Sequence, residues 1–322
     1  MKKEISLIGK EVIERQIKAL KKLKNSIDEP FINTVKAIIN CKSKVIICGV
    51  GKSGIIASKI SATLSSVGSP SFHIPANDCS HGDLGRISKK DILILISHSG
   101  SSDELKNIIN YAKLNNILLI GIVSNKKSNL YAAADIKLLI PEVEESGYGI
   151  VPTSSTTSQL SLGDALAIAT MQLKKFTKLD FKKFHPGGNL AHKLKTASEL
   201  MLTKNKIPFV NEIILIKDAL NTLNKKKLGF IIVTDNQGFS SGIFTDGDLK
   251  RSLQKKKYSE SSKIKIIMKK KPYSVEESTL LTDILKKMNQ KKITSICVYN
   301  KKNKKKTIGV IHIHQIIKFL EY

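Results

Sequence analysis

A lysine stands in a glycine-rich loop directly after the first apolar run of the sequence. The run "KVIICG" at 44–49 leads into "VGKSG" at 50–54, so we expect a strand, a tight turn and a helix start in succession. Backbone N–H groups at a helix start attract phosphate, and a lysine there adds positive charge. The loop therefore predicts a site for a phosphate-bearing ligand around Gly51, Lys52 and Ser53.

Two nucleotide-binding motifs compete for this loop. A Walker A loop would place a glycine five positions before Gly51, where Ile46 stands, so that interpretation fails. Gly49, Gly51 and Gly54 match the dinucleotide fingerprint, but no acidic residue ends the second apolar run to hold the ribose of NAD. The sequence therefore disfavours both a Walker A site and a dinucleotide site in this loop, and we expect no cofactor.

Two hydroxyl-rich segments, "SHSGSSDEL" at 97–105 and "PTSST" at 152–156, each precede a predicted helix. Hydroxyl groups and free N–H groups at a helix N-terminus bind a phosphate monoester well. We expect them to hold the phosphate of a substrate. The side chains involved would be Ser97, Ser99 and Ser102 in the first segment and Thr153, Ser154, Ser155 and Thr156 in the second.

Short apolar runs alternate with helical segments through the first half of the chain. Strands are predicted at 44–49, 71–76, 91–97, 116–124 and 136–141, and helices at 4–25, 29–40, 54–67, 102–114 and 156–175. Near-continuous apolar strands separated by helices indicate a parallel sheet covered on both faces. The predicted fold class is α/β, a doubly wound five-stranded sheet whose ligands bind beyond the carboxyl ends of the strands.

Composition excludes several classes of partner. The chain of 322 residues has a formal charge of +27, but its lysines are spread along solvated helix faces without aromatic interleaving, so we expect no nucleic-acid partner. No apolar run approaches the roughly 18 to 20 residues that span a bilayer, so we expect no membrane association. The four cysteines form no C-x-x-C pair and no export signal is evident at the N-terminus, so a cytoplasmic location is expected.

The last third of the chain contains an internal repeat. Met201 is followed 41 positions later by Gly242, and Met268 is followed 41 positions later by Gly309. Each copy also has a lysine-rich helix before an apolar strand. Two copies of one small α+β unit are therefore predicted from about residue 196.

Together the motifs "GVGKSG", "HGDLG", "SHSG", "PTSST" and "GDALA" resemble those of the sugar isomerase (SIS) domain. The whole chain resembles the D-arabinose 5-phosphate isomerases, which carry two CBS modules after the SIS domain. The resemblance implies a SIS domain at 1–193 and CBS domains at 196–256 and 262–322. It also implies a homotetramer.

The resemblance implies a reaction. Enzymes of this family interconvert D-arabinose 5-phosphate and D-ribulose 5-phosphate through a cis-enediol, and the former supplies the eight-carbon acid sugar (Kdo) of lipopolysaccharide. The family's catalytic residues fall on Lys52, Glu104, His185 and a carboxylate in "PEVEESG". Counting back from "PTSST" selects Glu144, and counting forward from "AADIKLL" selects Glu145; Glu144 is the expected residue. His185 is expected to reach the site of a neighbouring subunit.

Two further features are carried over from the resemblance. His81 in "HGDLG" is expected to bind the sugar, with a structural histidine as the alternative; any zinc at His81 would be adventitious, since the chemistry requires no metal. In the first CBS copy, Thr245 and Asp248 match the family's nucleotide-binding positions, whereas the equivalent positions in the second copy are His312 and Gln315. We therefore expect at most one intact nucleotide pocket, and a purely structural role for the pair is an equal alternative.

Other functions remain open at this point. SIS domains also sense phosphosugars in transcription regulators, but fewer than 45 residues precede the first strand, too few for the expected DNA-binding domain. An isomerase of another pentose or hexose phosphate would show the same motifs.

Overall fold

The computed structural model describes residues 1–186, 194–254 and 259–320, and these form two compact units, Met1–Phe184 and His185–Tyr322. The expected domain ends at 193, 256 and 322 lie outside the described residues. The domain boundaries therefore stay a prediction. Among the described helices, none combines the length and the apolar character needed to cross a membrane.

The first unit is built from alternating strands and helices. In chain order they are α1 (Lys2–Asn25), α2 (Glu29–Asn40), β1 (Val45–Gly49), α3 (Lys52–Ser66), β2 (Ser71–His73), α4 (Ala76–Cys79), β3 (Ile92–Ile96), α5 (Glu104–Leu114), β4 (Leu118–Val123), α6 (Asn129–Ala133), β5 (Ile136–Leu139), α7 (Ser154–Leu173) and α8 (Lys178–Phe184). The sheet order is β2-β1-β3-β4-β5, and every pair is parallel. The predicted five-stranded doubly wound sheet is confirmed.

Both faces of this sheet are buried, as the apolar strands predict. Val45 and Ile47 pack into a cluster with residues of α2, α3 and α7, while Ile46 and Cys48 pack into a second cluster with residues of α5. Because the faces are covered, ligands have access mainly to the loops at the carboxyl edge. In this strand order the connections after β1 and β3 diverge to opposite faces, which opens a crevice between the two loops.

The second unit contains α9 (Ala197–Leu200), β6 (Leu202–Thr203), β7 (Phe209–Asn211), α10 (Ile216–Lys226), β8 (Phe230–Thr234), β9 (Ser240–Thr245), α11 (Asp246–Gln254), β10 (Lys269–Lys270), β11 (Ser274–Glu276), α12 (Leu281–Lys291), β12 (Ser295–Asn300), β13 (Asn303–His312) and α13 (Ile313–Leu320). Its sheets have the orders β10-β9-β8-β7 and β11-β12-β13-β6. Each sheet therefore takes its outer strand from the other repeat.

This strand exchange explains the methionines and glycines of the repeat. A Cβ on Gly242 would collide with Met268, and a Cβ on Gly309 would collide with Met201. Each glycine is thus required by the methionine of the other copy, since only a residue without a side chain leaves room for the thioether.

Asp91 links the beginnings of β1 and β3. It is 2% exposed, and its carboxylate accepts hydrogen bonds from the Ser43 hydroxyl at 2.6 Å, the Ser88 N–H at 2.7 Å and the Lys44 ammonium at 3.2 Å. Burial acts to raise the pKa of this carboxyl, but the hydrogen bonds from Ser43, Ser88 and Lys44 outweigh it, so the pKa lies below its usual value.

The Asp91→Asn substitution should lower the free energy of unfolding at pH 7 by about 2 kcal/mol, because donors arranged around a carboxylate lose their ionised acceptor. Since the folded-state pKa is depressed, this stabilisation is present above the unfolded-state pKa, about 3.9, and is lost as the pH falls through the folded-state pKa. Urea unfolding at pH 7 and pH 3 measures both effects. The exposed Asp103→Asn variant serves as a control and should change stability by less than about 1 kcal/mol.

Candidate active site

The loop between β1 and α3 depends on glycines at close range. A Cβ on Gly49 would lie 2.8 Å from the Ser53 carbonyl, so only glycine lets α3 start this close to the strand. Gly51 has a φ of 59° and is the residue before the helix. Lys52 is the first helical residue and is exposed, and Ser53 is half-buried. The loop thus presents a lysine and a helix N-terminus at the carboxyl edge of the sheet.

Ser97 organises the loop that follows β3. Its Oγ accepts a hydrogen bond from the Gly100 N–H at 3.0 Å and lies 3.1 Å from the Oγ of Ser102. Gly100 has a φ of 69°, and the side chain of Ser128 fills the space that a Cβ would need. The loop is therefore held in one conformation, with the exposed Ser99 at its tip.

The N-terminus of α5 has open hydrogen-bond donors. Within the ranges that the structure describes, no acceptor meets the backbone N–H groups of Ser102, Asp103 and Glu104, and Asp103 caps the helix without a side-chain hydrogen bond. These donors lie beside the serine hydroxyls of the same loop. Such an arrangement binds a phosphate monoester through hydrogen bonds and the helix dipole.

The N-terminus of α7 is already occupied by a carboxylate. One oxygen of Glu145 accepts the N–H of Thr153 at 2.7 Å, the N–H of Ser154 at 2.8 Å and the Thr153 hydroxyl at 3.0 Å. The other accepts the N–H of Ser155 at 3.2 Å. A phosphate at this helix start would have to displace Glu145.

Glu145 is held as an anion. Burial acts to raise its pKa, but the hydrogen bonds from Ser155, Thr153 and Ser154 outweigh burial and lower the pKa below the usual value for a glutamate. A carboxylate stabilised in this way is a weaker base. Its position supports a structural part in fixing the start of α7.

The hydroxyl side chains of "PTSST" differ in their exposure to solvent. Ser154 and Ser155 are 0% and 1% exposed, and the Thr156 hydroxyl donates to the Thr153 carbonyl at 3.0 Å. Their predicted contact with substrate stays a prediction, and in this conformation the buried pair faces protein rather than solvent.

Glu144 lies on the other side of the same loop. Its side chain is exposed and lines a cavity of about 120 Å³ with Arg15, Lys18 and Lys22 of α1. The structure therefore separates the two neighbouring side chains: the carboxylate of Glu145 contacts the start of α7, and the side chain of Glu144 lines the cavity beside α1.

The remaining predicted site residues lie on turns and at helix ends. Glu104 is the first residue of α5 and is exposed, and His81 is exposed on the turn after α4. His185 is half-buried, directly follows α8 and makes contacts within the protein. It is the first residue of the second unit. The roles of these residues stay predictions.

His73 is a candidate that the sequence motifs did not reveal. It ends β2 and lines a cavity of about 520 Å³ together with Gly49, Gly51 and Gly54. Its Nε2 is buried and has no hydrogen-bond partner in the described residues. Burial lowers the pKa of His73, with Asp78 opposing the shift, so a neutral imidazole faces this cavity. A lone histidine in a short strand gave no signal in the sequence.

No group of three or more His, Cys, Asp or Glu side chains in the described ranges is arranged to hold a metal ion.

Curated relatives cover almost the full length of the chain. The arabinose 5-phosphate isomerase KdsD of Yersinia pestis is 38% identical over 312 residues, 96% of this chain and 94% of that protein. The protein of the same name from Francisella tularensis is 39% identical over 313 residues, 96% of this chain and 95% of that protein.

The chain belongs to the arabinose 5-phosphate isomerase family. The SIS domain model matches residues 38–169 of this family member, and the CBS domain model matches 197–255 and 263–322. A solved structure of an E. coli CFT073 protein in complex with arabinose 5-phosphate is 37% identical, with a TM-score of 0.54, and covers 58% of this chain and 100% of that chain. The resemblance to this family that the motifs indicated is confirmed.

The two neighbouring glutamates of this arabinose 5-phosphate isomerase homologue provide a matched test of the α7 cap. The Glu145→Gln substitution should lower the free energy of unfolding by about 1 to 2 kcal/mol, as expected for a weakened helix cap. Glu144→Gln should leave it unchanged within about 0.5 kcal/mol because that side chain is exposed. Urea denaturation at pH 7 measures both, and equal losses would contradict the cap.

Proposed function

We propose that this protein catalyses the reversible isomerisation of D-arabinose 5-phosphate and D-ribulose 5-phosphate. The full-length likeness to arabinose 5-phosphate isomerases supports the reaction and the substrate. The single structural observation that carries it is the serine loop at α5, whose open N–H groups suit a phosphate monoester. The α7 start is less suited to the phosphate, because Glu145 already satisfies its donors.

The chemistry requires four proton transfers, two to form the enediol and two to consume it, and no external oxidant or reductant. With the phosphate fixed, a base removes the proton from C2 of the opened aldose while an acid protonates the carbonyl oxygen at C1. The resulting cis-enediol then accepts a proton at C1 from an acid of the protein and loses the proton of its C2 hydroxyl to a base, which gives the ketose. Binding of the phosphate keeps the short carbon chain in one geometry throughout.

Lys52 is proposed as the cation beside the developing enediolate. It is exposed at the N-terminus of α3, and within the described residues no carboxylate pairs with its ammonium. A positive charge and a helix N-terminus both favour a negative oxygen. Glu104 and His185 are proposed as proton-transfer groups, and Gly51, Ser53 and His81 as contacts to the sugar.

Glu144 is proposed as the further carboxylate of the catalytic set. Its exposed carboxyl is available for proton transfer, whereas the carboxylate of Glu145 is engaged by the α7 start. Glu144 lines a cavity with basic residues of α1, which supports a role for its side chain different from that of Glu145.

The pathway, cellular location, assembly and regulation of the protein are also proposed from its family. D-Arabinose 5-phosphate, formed from D-ribulose 5-phosphate in the reverse direction, would supply Kdo biosynthesis for lipopolysaccharide in the cytoplasm, and the protein would act as a homotetramer. The CBS pair would bind a regulatory nucleotide at the cleft that contains Thr245 and Asp248. The proposed domain limits are 1–193, 196–256 and 262–322.

The proposed function is tested by incubating the purified protein with D-arabinose 5-phosphate in EDTA and measuring ribulose 5-phosphate. We expect turnover with this substrate and none with unphosphorylated D-arabinose, because the phosphate anchor is missing. Ribose 5-phosphate and glucose 6-phosphate are assayed in parallel. Binding of the sugar phosphates without turnover would favour a phosphosugar sensor instead.

The Lys52→Ala substitution should reduce kcat by about 10²- to 10⁴-fold, the range for loss of a positioned electrostatic group. Lys113→Ala, which removes an exposed lysine from the last turn of α5, is the charge-matched control and should retain normal turnover. Steady-state kinetics with D-arabinose 5-phosphate separates the two. A near-normal rate for the Lys52 variant would remove this residue from the mechanism.

A further inference from the structure

A cleft of about 470 Å³ in the second unit has a strongly basic lining. It lies between the start of α11 and the segments 269–273 and 291–295, so both repeats contribute to it. Its charged side chains are Arg251, Lys269, Lys271, Lys291 and Lys292 against Asp246 and Asp248. With His312 neutral, because burial and then His314 lower its pKa, the lining carries a net charge of +3.

The lysines of the cleft are not neutralised within the protein. In the parts of the chain that the structure describes, no carboxylate forms an ion pair with any of the four, and the only pair in the lining joins Arg251 to Asp248. Two of these ammonium groups, on Lys269 and Lys291, each lie 5.9 Å from the centroid of the Tyr273 ring. Like charges are thus held close together around one concave surface, an arrangement that attracts a multivalent anion.

The carboxylate of Asp248 already accepts hydrogen bonds from neighbouring residues of the cleft. Its Oδ2 accepts the Thr245 N–H at 3.1 Å and the Thr245 hydroxyl at 2.8 Å, and its Oδ1 is hydrogen-bonded to Arg251. Both carboxylate oxygens therefore have internal donors. Recognition of ribose hydroxyls by this side chain would compete with those bonds, whereas recognition of phosphate by the lysines would not.

We propose that this cleft binds a linked di- or triphosphate group and that the charge of that group contributes most of the affinity. The inference rests on the proposed nucleotide site of the CBS pair and narrows its ligand. A phosphate monoester carries a charge of about −2 and leaves part of the +3 lining unmatched, whereas two or three linked phosphates match or exceed it. The group can belong to a nucleoside polyphosphate or to free inorganic polyphosphate.

The first test is calorimetric titration of the full-length protein in EDTA and about 0.15 M salt, the ionic strength at which weak surface attraction is screened. The probes are tripolyphosphate, pyrophosphate and orthophosphate in one series and ATP, ADP, AMP and adenosine in the other. We expect tripolyphosphate or ATP to bind at least about ten-fold more tightly than orthophosphate or AMP, as multiple charge contacts require. Equal affinity for ATP and tripolyphosphate identifies free polyphosphate as a sufficient ligand, and preference for ATP identifies a nucleoside polyphosphate.

The alternatives have separate outcomes. If AMP or adenosine binds as tightly as ATP, the nucleotide site stands and the polyphosphate inference is overturned. If no probe binds, the proposed nucleotide site falls as well. Neither result affects the isomerase assay, which uses a different ligand.

The repeat offers matched control variants. Lys271 and Lys292 line the cleft and have φ values of 55° and 51°, while the equivalent Lys204 and Lys227 of the first repeat do not line it and have 52° and 53°. Asparagine tolerates this left-handed conformation better than lysine, so all four substitutions should be accepted by the fold.

The double variant Lys271→Asn with Lys292→Asn should bind tripolyphosphate and ATP at least about ten-fold more weakly, since two phosphate contacts are lost. The double variant Lys204→Asn with Lys227→Asn removes the same charge and should stay within about two-fold of the unmodified protein. Equal losses in both would show that overall charge, and not the cleft, holds the anion, and would overturn the proposal.

Discussion

The burial of both faces of the parallel sheet is the constraint on which the rest of the first unit depends. Because β1 and β3 are covered by helices on each side, polar chemistry is confined to the loops at their carboxyl ends. Those loops begin helices, so the same geometry that buries the strands also brings helix N-termini to one edge. The lysine of α3 and the serine loop of α5 are products of that arrangement.

Two helix N-termini of this edge are used differently. The start of α5 keeps open donors, whereas the start of α7 is closed by Glu145. A carboxylate and a phosphate are interchangeable partners for such donors in electrostatic terms. This difference supports the proposal that a substrate phosphate binds at the loop of Ser97 and Ser102, where it does not compete with a side chain of the protein.

Much of the fold and part of the site could be predicted from the sequence. The strands were found because each is a short apolar run between helical segments, and the glycine, serine and threonine motifs lie next to strand ends where the topology puts ligands. Glu145 and His73 could not be placed in this way. Glu144 and Glu145 lie in the irregular loop before α7, and a shift of one residue in that loop would change which of them contacts the helix. The spacing of apolar residues in the sequence does not reveal such a shift. The cavity beside His73 is lined by the glycine loop, by α3 and by residues 73–77, and no periodic pattern shows that the imidazole of His73 faces this loop.

The sequence by itself determined the fold class, the repeat in the second unit and the family, because these follow from local periodicity and from motifs of a few adjacent residues. Tertiary structure alone decided that Met201 packs on Gly309 and Met268 on Gly242, across the repeats, since exchange of the outer strands brings residues of the two copies into contact. It also decided that Glu145 rather than Glu144 satisfies the donors of α7, and that four lysines from one repeat meet Asp248 of the other in a single cleft. Such contacts depend on how separate segments pack. The distance between two residues along the chain does not determine their distance in the folded protein.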